Sequence, residues 1–379
     1  MSRLMLPIIA VVLVGLAVGG VGLGIWALVE KEEARPAEKA TSAAPEEEPD
    51  SSGSRSAPAA AETSPESLIR FGITEPPAKP DGAIRLATYN VANLFDGVDD
   101  PSLSGPNEDI DDEKPEAQLA ALADTIRRLD ADILALQEIE SEQVITAFRG
   151  EYLADAGYAH LASIDAGDER GIEQAVLSRF PITSVENWPG RELGGVHPEE
   201  WGDDENYNAG EPIAFHRSPL RVRVEIPTQT GAGSYELTLY VVHAKSGGPG
   251  EYWRQAEASG LVPIVREQLA SDPHANIAIL GDFNAFLTDG SAQTIVAAGF
   301  TDALADVYER GPRFVTHESG RRIDHILVNA NLGADLAHAT GFVLGTPALP
   351  EGMDWREEWC PEGYASDHYP VAVDFRPAE

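Results

Sequence analysis

From Gly82 onward, short apolar runs alternate with stretches of helical periodicity, and six of the runs begin or end on an acid, an amide or a histidine. Ile84–Tyr89, Ile133–Leu136, Ala175–Leu177, Leu220–Ile226, Tyr235–His243, Asn276–Leu280, Ile323–Val328 and Pro370–Phe375 read as strands. Gly231-Ala232-Gly233-Ser234 between two of them is a hairpin signal. Pro115 to Leu129 carries Leu119, Leu122, Ile126 and Leu129 at helical spacing, with Pro115 suited to the first turn. Glu251–Ala270 reads as a helix that Pro263 should kink or split. Residues 188–219 form a long connection rich in glycine, proline and acids, either a functional loop or disorder. Hairpins mixed with helices predict an α/β fold of two sheets packed face to face with helices outside.

The polar strand ends carry the chemistry. Asn90 ends the first strand and Glu138 follows Ile133-Leu134-Ala135-Leu136-Gln137. His243 ends Leu239-Tyr240-Val241-Val242, and Asp282 and Asn284 follow Ile277-Ala278-Ile279-Leu280-Gly281. Asp324 opens the next strand and Asp367-His368 the last. One carboxylate at a strand end is ordinarily a turn former or a cap. As a set, these groups mark a sheet rim where rigid elements hold several of them together. Oxygen donors with two imidazoles suit Mg²⁺, Mn²⁺ or Ca²⁺ far better than zinc. The single cysteine, Cys360, excludes both a disulfide framework and a cysteine-rich zinc module. A hard cation with histidines is a working set for phosphoryl transfer to water.

Six segments in order carry a resemblance: Thr88-Tyr89-Asn90-Val91-Ala92-Asn93-Leu94-Phe95-Asp96, Leu136-Gln137-Glu138, Val242-His243-Ala244-Lys245-Ser246, Leu280-Gly281-Asp282-Phe283-Asn284-Ala285, Arg322-Ile323-Asp324-His325-Ile326 and Ser366-Asp367-His368-Tyr369-Pro370-Val371. The chain resembles the endonuclease/exonuclease/phosphatase superfamily, with its deoxyribonuclease-I-like fold, over most of residues 82–376. The resemblance implies a four-layer sandwich of two packed mixed β-sheets flanked by helices, with the site at one rim of both sheets. It implies Glu138 as the main metal ligand with Asn90 beside it, and Asp367 at a second or shifted metal position. It implies that His368 activates or orients the attacking water while Asp324 fixes its tautomer. Asp282 and Asn284 would hold the nucleophile and the scissile phosphate, and His243 would bond a phosphate oxygen or assist the leaving group. Mg²⁺, with Mn²⁺ or Ca²⁺ as alternatives, is the implied cofactor. Arg170 is the nearest phosphate-contacting side chain before Ala175-Val176-Leu177, with a surface ion pair as the competing reading. Ala92 stands where some members carry an acid, which argues against the abasic-site repair branch. His160, His197, His216, His274, His317, His325 and His338 match no family role and read as surface or core histidines. Trp355 and Trp359 would wall a pocket or cover a sheet edge.

Upstream, Leu4 to Val29 is free of charge. As a helix it would span roughly 39 Å, enough to cross a bilayer core with tilt. Arg3 precedes it and Glu30, Glu32 and Glu33 follow, so residues 1–29 read as a single-pass signal anchor with the catalytic domain outside the cytoplasmic membrane. Ala17-Val18-Gly19 offers the alternative of a cleaved signal and a secreted or periplasmic protein. Residues 30–80, rich in Ala, Pro, Glu and Ser, read as a disordered linker. The catalytic domain is then residues 81–379.

Formal net charge is −36, and most of the excess lies beyond residue 80. Such a surface repels polyanions at long range and argues against a generic basic nucleic-acid stripe. It fits solubility in a salty exterior, or selection for a small or locally captured substrate. The resemblance and its His243-x-Lys245-Ser246 signature nevertheless make a divalent-metal phosphodiesterase or nuclease acting on nucleic acid the leading expectation, while the charge favours the first rival. The first rival keeps the fold with a lipid headgroup or small phosphoester as substrate. The second is a non-catalytic, anchored acidic binding module. No segment points to a protein partner.

Overall fold

A computed structural model describes residues 68–100, 113–228, 233–309, 311–350 and 360–378. The expected anchor at 1–29, the linker through residue 67, the hairpin residues Gly231 and Ala232, and Trp355 and Trp359 lie outside the described residues. Among the described residues no helix is long and apolar enough to cross a membrane.

The packed chain begins earlier than expected. Residues 68–80, assigned above to the linker, join the domain. Ile69 and Ile73 bridge to Pro347 and Leu344. Phe71 packs edge-on against Tyr369 at 5.8 Å, and Lys79 Nζ pairs with Asp132 at 3.0 Å. The cluster Leu68-Ile69, Phe71 and Ile73 supplies the apolar surface that the residues before it lack.

The strands are β1 (Ile84–Leu94), β2 (Ile133–Ile139), β3 (His160–Ser163), β4 (Glu173–Ser178), β5 (Ile182–Glu186), β6 (Glu192–Val196), β7 (Glu200–Trp201), β8 (Asp204–Glu205), β9 (Pro212–Ala214), β10 (Leu220–Pro227), β11 (Ser234–His243), β12 (Asn276–Asp282), β13 (Thr301–Asp302), β14 (Asp324–Val328), β15 (Phe342–Val343) and β16 (Val371–Phe375). The helices are α1 (Glu116–Leu129), α2 (Glu142–Tyr152), α3 (Glu251–Ser271), α4 (Gly290–Ala297) and α5 (Ala330–Asp335).

One sheet runs β15-β16-β1-β2-β4-β3 and the other β13-β14-β12-β11-β10-β5. Both are mixed: β1 is parallel to β2, β11 is parallel to β12, and the remaining pairs are antiparallel. Leu86, Ile133 and Val176 of the first sheet form one buried core with Val222, Leu239 and Leu280 of the second. Ala87, Leu134 and Leu177 point the other way and pack with Leu122 and Ile126 of α1 and Ile145 and Phe148 of α2. Tyr240, Ile277 and Ile279 do the same for the second sheet, under Leu261, Ile264 and Val265 of α3 and Ile295 of α4. Strand side chains alternate between faces, so these central strands are apolar on both and the domain has four layers.

Three local features differ from expectation. Pro115 sits one position earlier, at the N-cap of α1. Helix α3 runs unbroken through Pro263, held along its length by a buried face that includes Trp253, Leu261, Val262, Ile264 and Val265. The connection 188–219 is ordered, with β6 pairing β9 and β7 pairing β8. It closes onto α3 at Gly260, where any side chain would collide with Leu193.

Candidate active site at the shared sheet rim

The register places the polar strand ends side by side. His243 of β11 lies opposite Asp282 of β12, and Asp282 lies opposite Asp324 of β14. In the other sheet β1 runs on past the expected end to Leu94, so Asn90 lies within the strand, opposite Gln137 of β2 and beside the irregularity that follows. The register of that pair slips between Asn90 and Leu94, and Glu138 falls at the irregularity. Glu138 adopts a φ of 63°, Asn284 48°, and Ala92 and Asn93 52° and 55°. A side chain other than glycine in this left-handed region is strained, and such strain clusters where a group must be re-aimed. Here it turns Glu138 toward the second sheet.

The side chains then meet. Asn90 Nδ2 donates to Glu138 Oε1 at 3.0 Å and to Asp282 Oδ2 at 3.1 Å, joining the two sheets. Glu138 Oε2 accepts from the Asn93 amide at 3.0 Å. His243 Nε2 lies 3.6 Å from Glu138 Oε1 and 3.7 Å from Asp282 Oδ2. Asn284 donates its backbone N–H to Asp282 Oδ1 at 2.8 Å and its amide to Ala244 O at 3.1 Å. His368 Nδ1 donates to Asp324 Oδ2 at 2.9 Å, and its Nε2 lies 3.8 Å from Asp282 Oδ2. Ser366 Oγ fixes the backbone before His368: it accepts from His368 N–H at 3.1 Å and donates to Asn90 O at 2.8 Å.

Arg170 reaches the same rim, donating to Asn93 Oδ1 at 3.1 Å, a hydrogen bond rather than a surface ion pair. The resemblance puts Asp367 at a second or shifted metal position, and the structure keeps it apart from Glu138. Its carboxylate lies 3.4 Å from His317 Nε2 and makes no hydrogen bond or ion pair with Glu138 or Asn90 among the described residues. It therefore stands with His317 and His368 instead of beside the principal ligand. His368 lies between the two groups: its ring is within reach of Asp282 and Asp324 on one hand and of His317 and Asp367 on the other.

Electrostatics separates the two histidines. Burial, followed by the positive charges of Arg217, His368, His216 and Arg170, holds His243 well below the usual imidazole range. For His368 burial alone would do the same, but Asp324 and Asp282 outweigh it and hold the proton well above that range. Burial raises Asp282 to about 6, with His368 pulling down and Asp324 and Glu138 pushing up.

Three neighbours of the cluster were given no role by the sequence. His317 stacks edge-on against His368 at 4.6 Å. Its Nδ1 accepts from the Ser319 amide at 3.0 Å, so Nε2 bears the proton facing Asp367 and His317 acts as a donor. Lys114 is buried with Nζ donating to Ala92 O at 2.8 Å, and burial lowers it to about 8 despite Glu138 and Asp367. Arg217 Nε pairs with buried Asp168 at 2.9 Å. No spacing rule links these residues to the strand ends, because loops deliver them.

The donor set fits a hard divalent cation. Asp282 and Asp324 flank His368 while Glu138 lies against His243, leaving an excess of carboxylate oxygen at the rim. Glu138, at 19% side-chain exposure, is reachable from solvent, while Asp282 and Asp324 are sealed. Among the described residues the groups close enough to share an ion are Asp282, Asp324 and His368, and separately His317, Asp367 and His368. In the first, His368 Nδ1 is already committed to Asp324, so Glu138 with the Asn90 amide offers the more accessible oxygen position.

Two mixed sheets packed face to face, with this set at one rim, define the deoxyribonuclease-I-like class of α/β sandwich. A sequence model of the Endonuclease/Exonuclease/phosphatase family matches residues 87–368, and the chain belongs to that family. Its members are typically hydrolases of phosphoester bonds and commonly use divalent metals. Among solved structures, the human Nocturnin catalytic domain with bound sulfate is 15% identical, covering 78% of this chain and 93% of that one at a TM-score of 0.49. Truncated Caenorhabditis elegans TDP2 is 17% identical, covering 78% and 97% at a TM-score of 0.48. A family protein from Bacteroides thetaiotaomicron is 17% identical, covering 77% and 97% at a TM-score of 0.46. At these values the likeness adds nothing to the family assignment. No curated protein matches the sequence.

Proposed function

We propose that the domain is a divalent-metal phosphodiesterase that cleaves nucleic acid, with His368 as general base. The observation that carries this reading is the His368–Asp324 pair, whose second nitrogen faces Asp282 inside the rim cluster. Asp324 fixes Nδ1 as the donor, so Nε2 is the nitrogen left to take a proton from water. Asp282 and Asn284 position that water and a phosphate oxygen. Neutral His243, on the far side of Asp282, donates to the phosphate or to the departing oxygen. Glu138 and Asn90 would hold Mg²⁺, which when bound offsets charge developing on the phosphate. The uncharged run Leu4–Val29 with Arg3 before it supports an anchored domain outside the cytoplasmic membrane.

The charge of −36 favours a second reading, hydrolysis of a lipid headgroup or another small phosphoester. Plasmid DNA, RNA and phospholipid vesicles assayed in parallel with Mg²⁺, Mn²⁺ and Ca²⁺ separate the two. Cleavage of DNA or RNA is expected. Turnover of phospholipid alone selects the second reading, and turnover of no phosphoester in any metal overturns both. Protease added to spheroplasts tests the location: removal of the domain is expected, and protection overturns it.

A further inference from the structure

Lys245, two residues beyond His243, is held in an unusual setting. Its Nζ lies 5.5 Å from the ring centre of Trp201 and 5.8 Å from that of Trp253. Among the described residues no carboxylate comes within ion-pair distance of that ammonium. Burial, then the neighbouring charge of Arg217, lowers its pKa. Cation–π attraction to the two indoles favours the charged form against that burial, and packing on them costs the side chain much of its freedom.

The surroundings fix it in place. Glu257, buried on α3, accepts from the Lys245 amide at 3.1 Å through one oxygen and from the His216 amide at 3.0 Å through the other. Arg254 donates to Lys245 O and Gly247 O, each at 2.8 Å, bracing the loop. Arg217 reaches His243 O at 3.4 Å. Trp201 comes from the β7–β8 hairpin, so the ordered 188–219 insertion supplies one wall. In a domain this acidic, an ammonium with no carboxylate at ion-pair distance among the described residues, two positions along the chain from His243, is out of keeping with its surroundings.

We infer that Lys245, seated on Trp201 and Trp253, binds a second phosphate of the substrate, the one next to the scissile phosphate. This rests on the phosphodiesterase reading above and deepens it: the favoured substrate is then a strand with consecutive phosphates. The indoles hold the ammonium extended, so the site captures a polyanion locally although the surface repels it at range.

The test compares a single-stranded thymidine pentamer with bis(p-nitrophenyl) phosphate, which carries one phosphate, using wild type, K245M and K245R. Lys245→Met keeps the chain that packs on the indoles and removes the charge; thermal melting checks the fold. K245M is expected to lose at least fivefold more kcat/KM on the pentamer than on the one-phosphate ester. The slope of log(kcat/KM) against log[salt] on the pentamer falls by about 0.7, the increment for one single-strand phosphate contact. K245R, which keeps the charge, recovers most of the slope. Equal losses on both substrates, an unchanged salt slope, or a K245R variant no better than K245M overturns the inference. Wild-type turnover of bis(p-nitrophenyl) phosphate is read separately: if it is absent, the phosphodiesterase reading falls first.

Discussion

His368 Nδ1 lies 2.9 Å from Asp324 Oδ2 although the two residues are 44 positions apart, and both side chains are almost wholly enclosed. The contact forms because the last strand enters one sheet just beyond His368 while Asp324 opens an edge-side strand of the other. The pair therefore bridges the sandwich, and its geometry depends on both sheets being in register. His368→Ala and Asp324→Ala should each lower kcat by ~10²–10⁴. Since the carboxylate acts through the imidazole, the double variant should be little slower than His368→Ala alone. A double-mutant cycle measures this, and fully multiplicative losses would show that the two work independently.

Glu138 is the reachable carboxylate of the rim cluster and is bound on both oxygens, by Asn90 and by the Asn93 amide. Glu138→Gln conserves shape and removes the charge. Activity should fall by ~10²-fold or more, the order found when a group that stabilises transition-state charge is lost, and the Mg²⁺ concentration for half-maximal rate should rise. Chelation should abolish activity without lowering the unfolding midpoint much, because the three apolar clusters do not include the site. Wild-type rate and metal response in the Gln variant would remove Glu138 from the site.

The direction of the pH dependence follows from His368. Asp324 and Asp282 hold its proton well above the ordinary range, against burial. A base works only when deprotonated, so kcat/KM should rise with pH through a limb lying above about 6.5, the unperturbed value. Asp324→Asn removes the largest raising charge, so the limb should move to lower pH while the plateau falls. Rate profiles of both forms at saturating Mg²⁺ check this. A rate that declines with pH over that interval would mean that the imidazolium, not the imidazole, is the working form.

The rim was legible because its residues end apolar runs. Asn90, Glu138, His243, Asp282 and Asp324 each interrupt or bound an apolar run in the sequence, and the layer order follows from strands that are apolar on both faces. What a sequence hides is how a strand end is bent: the φ of 63° at Glu138 and the slipped register beside it are set by pairing with β1 and β4. Likewise the adjacency of Asp367 and His368 does not reveal that the loop bearing His317 packs against both and brings the three within reach of one ion. Lys114, Arg217 and His317 lie in connections between elements and arrive through loops. The early start at residue 68 was obscured by averaging over a segment whose last dozen residues differ in composition from the rest.

At the opposite end of β1 from Asn90, Arg85 and Asp374 form a buried pair, with Nε to Oδ1 at 2.8 Å and Nη2 to Oδ2 at 3.1 Å. The guanidinium also donates to Leu129 O at 3.1 Å and Pro77 O at 2.7 Å, and lies 5.0 Å from the Phe342 ring centre. Arg85 thus ties β1 to β16, to the end of α1 and to the newly recognised N-terminal segment. Asp374→Ala leaves a guanidinium enclosed with no counter-charge, which should cost about 3–5 kcal/mol. Replacing both partners with apolar residues, Arg85→Met with Asp374→Leu, removes the charge as well as the pair and should cost much less. Urea unfolding midpoints read the difference, and kcat of each folded variant should stay near wild type because the pair lies a strand length from the rim. Equal destabilisation by the single and double variants would mean that the carbonyl contacts of Arg85, not its charge pairing, hold this end of the sheet.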